Sequence, residues 1–157
     1  MTYIQNHTLL GSLQDYNLAL QAMHKKIREK QGSGVQQVLA EYFDNVQQYV
    51  DDLLRTLKED LSQADAETFN QYSPETHPLD DLEENLPMPD DSAEWIEWVL
   101  QRQHAMVEWC EGIAGQSISS RTTEIFGEIA EHLREVNRKL ARDTTAYTQE
   151  SGQSAFD

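Results

Sequence analysis

The sequence predicts an all-α chain folded as one four-helix bundle, with two antiparallel helical hairpins joined by a long crossover. Three observations carry this. Apolar residues recur at steps of three and four in four separate stretches, as expected of helices that each bury one face. All four prolines, Pro74, Pro78, Pro87 and Pro89, fall in one window between the second and third stretches, where they disfavour helix. The chain has 157 residues, a length that suits a single domain with a core of its own.

The first helix is expected over about 2–30, with Leu9, Leu13, Tyr16, Leu20, Met23 and Ile27 on one stripe. Lys25, Lys26, Arg28 and Lys30 crowd its last turns, where cations favour the negative end of the helix dipole. Gly32, Ser33 and Gly34 stop it, and Ser33 with Gln36 resembles a capping box for the next helix. That second helix, about 35–62, carries Leu39, Phe43, Val46, Val50, Leu53, Leu57 and Leu61, widened by Val35, Tyr42 and Leu54. Glu41 and Asp44 fall on its other side, toward solvent.

Residues 63–91 break the periodicity and hold nine acids and no base. A connection this long is uncommon inside a compact domain, and length supplies a reason for it. A helix of ~28 residues is ~42 Å long, and a similar number of extended residues can run back along it. The third helix, about 92–113, can then restart at the end where the second began. It opens at Asp91 or Ser92, with Ile96, Val99, Val107 and Cys110 inward. After a break at Gly115 and Ser117, the fourth helix covers about 120–147, with Ile125, Ile129, Leu133, Val136 and Leu140 inward. Residues 1–150 form the domain, and 151–157 are expected to fray.

The formal net charge is −16, and it is concentrated. Residues 51–100 hold fifteen acids against Arg55 and Lys58, whereas 1–50 are neutral. Such a surface repels phosphate backbones and anionic membranes, which argues against direct nucleic-acid binding. Cys110 is the only cysteine, so no internal disulfide or cysteine metal knuckle can form. With no signal peptide, lipidation motif or membrane span in the sequence, the expected location is cytoplasmic.

Helix order, helix lengths and the crossover after helix two resemble the ferritin-like superfamily over nearly the whole chain. That resemblance implies a dimetal centre of iron or manganese, built from inward glutamates and two Glu-x-x-His pairs. Glu-x-x-His does not occur here. The residues nearest to such a set are His24 on helix one, His104 and Glu108 on helix three, and Glu128 and His132 on helix four. Gly-rich phosphate loops, His-Glu-x-x-His and a nucleophile elbow are also absent. No catalytic or cofactor-binding residue is assigned.

Helix three carries apolar side chains around half its circumference or more, because Trp98 and Trp109 align and Trp95 lies nearby. Either Leu79, Leu82, Leu86 and Met88 of the crossover cover these indoles, or they form a homodimer contact. The reading reached from sequence is a cytoplasmic, non-catalytic, oligomeric binding or structural module without a complete dimetal site. Two alternatives stand beside it: a dimetal protein with a non-standard ligand set, and an acidic inhibitor that mimics nucleic acid toward a basic protein partner.

Overall fold

The computed structural model describes residues 2–29, 34–72 and 92–154. Four long helices dominate: α1 (Asn6–Glu29), α2 (Gly34–Asp60), α4 (Ser92–Gln116) and α5 (Ser120–Ser154). The all-α expectation holds, with two short additions. A one-turn helix α3 (Gln63–Glu67) follows α2, and strands β1 (Thr2–Gln5) and β2 (Phe69–Tyr72) pair antiparallel, Ile4 opposite Asn70.

Both additions correct the sequence-based boundaries. The first helix begins at Asn6, not near residue 2, because β1 takes the preceding four residues. The Asn6 N–H donates to the Thr68 carbonyl at 3.0 Å, so the chain turns from strand to helix against β2. The region after α2 is not wholly irregular. Ser62 caps α3 by accepting the Asp65 N–H at 3.1 Å, which satisfies one of the orphan donors of a helix start. At the far end α5 continues through Ser154, past the expected stop near 147. The Gly32–Ser33 break, the Asp91 cap, the crossover leucines and residues 155–157 lie outside the described residues.

Direction follows from the contacts between helices. Gln14 meets Asp51, Asn17 meets Gln47 and Gln21 meets Asp44, so α1 and α2 are antiparallel. Thr123 meets Ala114 and Gln103 meets Asn137, so α4 and α5 are antiparallel too. Phe43 and Gln47 of α2 face Trp95 and Gln103 of α4, so those two helices run the same way. Helix α4 therefore starts at the end of the molecule where α2 started.

One hydrophobic core draws on all four long helices. The α1 stripe is buried as the periodicity predicts, from Leu9 to Ile27. On α2 the inward face is rotated from the expected one: Gln36, Leu39, Ala40, Phe43, Gln47, Val50, Asp51 and Leu54 are buried. Val46, Leu53, Leu57 and Leu61 are only half-buried, and Val35 is exposed. Hydrophobic residues alone placed the stripe off-centre, because its true middle is occupied by Gln47, a polar side chain.

Trp95, Trp98 and Trp109 are 0%, 4% and 2% exposed within the single chain. Trp95 lies edge-on to Phe43 of α2 at 5.2 Å, and Trp109 edge-on to Phe126 of α5 at 6.3 Å. The wide apolar face of α4 is therefore consumed by its neighbours in the same chain. The three indoles are thus packed inside one chain rather than on its surface.

Candidate functional site

A layer of amide side chains crosses the middle of the core. Asn17 sits on the α1 stripe between Leu13 and Leu20, and Gln47 on the α2 stripe between Phe43 and Val50. Gln103 lies between Val99 and Met106 on α4. All three are fully buried, so helical periodicity itself delivers them to the same depth. Gln47 is the hub. Its Nε2 donates to Asn17 Oδ1 at 3.2 Å and to Gln103 Oε1 at 2.8 Å. Gln103 Nε2 passes the chain to Asn137 Oδ1 of α5 at 3.0 Å, and Asn17 Nδ2 donates to the Gln47 carbonyl at 2.8 Å. The ladder thus touches every long helix, running donor to acceptor from Gln47 through Gln103 to Asn137, with Asn17 and Gln47 bonded reciprocally.

His24 completes it. Its Nε2 lies 3.0 Å from Gln47 Oε1. Since that oxygen can only accept, the ring is the tautomer with its proton on Nε2. Nδ1 is left as a buried acceptor without a partner. The imidazole packs among Phe43, Trp95 and Trp98, with ring centroids 5.1, 6.1 and 6.5 Å away. Burial pushes its pKa down to about 4, against the opposing pull of the Gln47 hydrogen bond and the Asp44 charge. The ring is therefore neutral at pH 7.

The other residues singled out from sequence do not join it. His104 and Glu108 form a pair at 2.7 Å on the exposed face of α4, 68% and 61% exposed. Glu128 and His132 are exposed on α5. Among the described residues no three His, Cys, Asp or Glu side chains are grouped so as to hold a metal ion. Asp51 is the only buried carboxylate described, and it accepts from Gln14 Nε2 at 3.1 Å. The dimetal centre implied by the ferritin-like resemblance requires hard carboxylates facing one another. The layer in the middle of this core supplies neutral amides, so the donor set does not fit.

Cys110 is buried, and burial together with the nearby Glu111 charge raises its thiol pKa. That is the reverse of a nucleophile's environment.

A second polar cluster pins β2 and the α4–α5 junction to the start of α1. Asn6 Nδ2 donates to Thr122 Oγ1 at 3.0 Å and to the Asp65 carbonyl at 2.9 Å. Asn70 Nδ2 donates to Asn6 Oδ1, and Ser117 Oγ donates to Asn70 Oδ1 at 2.9 Å. Its members are mutually satisfied, which marks it as a structural joint.

Compared with known protein families, characterised proteins and solved structures, the chain matches none. Function has to be argued from the residues themselves. Those the sequence reading passed over are Asn17, Gln47, Gln103 and Asn137. The signal was present: amides falling in register with an apolar stripe must find buried partners. Among the described residues no helix is long and apolar enough to cross a membrane.

Proposed function

We propose that the chain is a cytoplasmic, non-catalytic binding module, built as a four-helix bundle of ferritin-like layout. Its central layer is an amide ladder in place of a dimetal site. One observation carries this reading. Gln47, Asn17, Gln103 and Asn137 donate and accept among themselves across four helices. A satisfied buried network of this kind fixes helix register and rigidifies a core, and neutral amides do not balance the charge of two divalent cations. The candidate ligands His104, Glu108, Glu128 and His132 lie on exposed faces, where single polar residues commonly meet solvent.

The test is metal content per chain by mass spectrometry, on tag-free protein from cells supplied with iron and manganese. Less than about one-tenth of an atom per chain is expected, because stoichiometric retention needs a pre-formed ligand set. Near-stoichiometric iron or manganese, falling when His132 or Glu128 is changed to Ala, would replace this reading with the dimetal one.

A further inference from the structure

A groove of about 480 Å³ lies between the C-terminal half of α1 and the N-terminal half of α2. Sites for small ligands have volumes of about 300–1,000 Å³. Its two walls carry opposite charges: Lys25 and Arg28 on α1, Glu41 and Asp44 on α2. All four side chains are exposed, and among the described residues none of them takes part in an ion pair. Two cations and two anions thus line one groove without closing on each other. Buried His24 forms part of the floor. Its Nε2 is turned inward to Gln47, and its Nδ1 has no hydrogen-bond partner. A buried acceptor left without a donor is costly, and an N–H entering from the groove would satisfy it.

We propose that this groove binds a small zwitterion, an α-amino acid or a molecule with the same ammonium and carboxylate pair. The ammonium lies toward Asp44, Glu41 and the free nitrogen of His24, and the carboxylate lies toward Lys25 and Arg28. The charges select this class. A simple anion entering the groove meets two carboxylates, and a simple cation meets an ammonium and a guanidinium. Only a molecule carrying both charges is matched by both walls. A neutral imidazole suits the ammonium end, since it accepts a hydrogen bond without adding positive charge. The proposal does not depend on the ferritin-like layout or on the absence of metal chemistry.

The experiment is ligand-observed saturation-transfer NMR on the full chain, with a mixture of the common amino acids. The strongest binder is then titrated beside its decarboxylated amine and its deaminated acid. At least one amino acid should bind with a Kd below about 1 mM, and each analogue should bind at least about tenfold more weakly. Asp44→Asn and Arg28→Gln, exposed substitutions that should leave the unfolding midpoint nearly unchanged, should each weaken binding by about tenfold. His24→Gln should weaken it as well, and the two exposed variants keep the test decisive should that one fail to fold. Absence of saturation transfer at about 10 mM ligand, weaker than almost any specific site, would overturn the proposal. So would analogues that bind as tightly as the parent, or Asp44 and Arg28 variants with an unchanged Kd.

Discussion

At His24 a single proton decides how well the core is held. Above about pH 6.5 the ring is neutral in folded and unfolded chains alike, and no proton is exchanged on folding. Between 6.5 and about 4 the unfolded chain binds a proton that the folded chain, with its pKa lowered to about 4, refuses. Stability contributed by this residue therefore falls as the pH is lowered through that window, and the loss is complete below it. The full loss is about 3 kcal/mol. Urea unfolding of the wild type and His24→Gln at pH 7 and pH 4.5 isolates it, because both proteins carry the same carboxylates. The variant should lose less stability than the wild type between the two pH values, and equal losses would refute the assignment. Cys110 gives a simpler residue-scale prediction. Buried in the core with a raised thiol pKa, it should ignore Ellman's reagent in the native state and react fully in denaturant. Its burial was legible in the sequence from its place on the Val99/Val107 stripe. The partners of His24 were not, because a hydrogen bond between helices depends on which amides the fold brings to one depth.

At the scale of elements, the helices were legible and the sheet was not, for a physical reason. A helix declares itself through neighbours three and four residues apart, so α1, α2, α4 and α5 could be placed from local pattern. Strand β1 is four residues long and its partner β2 lies more than sixty residues away, so no local period marks either. The amide ladder falls between these cases. Its positions follow the helical period, yet a reading that counts only apolar residues treats each amide as a gap, and this rotated the inferred face of α2. Gln47→Leu tests how much the ladder contributes. It fills a similar volume but strands His24 Nε2–H, Asn17 Oδ1 and Gln103 Oε1 in the core. A loss of about 3 kcal/mol is expected, against less than ~0.5 kcal/mol for the exposed neighbour Gln48→Leu. Chemical denaturation of both variants measures the contrast. A neutral Gln47→Leu would mean that the ladder serves neither register nor stability, and the proposed function would lose its supporting observation.

Across the whole molecule the dominant fact is charge. Twenty-eight acids against twelve bases leave a field that repels itself in the folded state. Cross-helix and intrahelical ion pairs oppose it, such as Arg134 with Glu111 and Glu131, Arg138 with Glu135, and Arg121 with Asp65 and Glu124. Most of these pairs are exposed, and exposed pairs contribute little each. Salt weakens both terms, since the screening length falls from about 30 Å at 0.01 M to about 3 Å at 1 M. It removes more of the repulsion, which is long-ranged and summed over many pairs, than of the contacts within one turn or one helix crossing. Raising NaCl from about 20 mM to about 500 mM at pH 7 should therefore raise the midpoint of thermal unfolding. A net relief of about 1 kcal/mol corresponds to ~2–4 °C for a chain of this size. Differential scanning calorimetry at the two salt concentrations measures it. A midpoint that falls with salt would mean that the ion pairs outweigh the repulsion, and that the acidic surface is held together by local pairing. A rise leaves uncompensated negative charge on the folded molecule, the property that any basic partner would meet first.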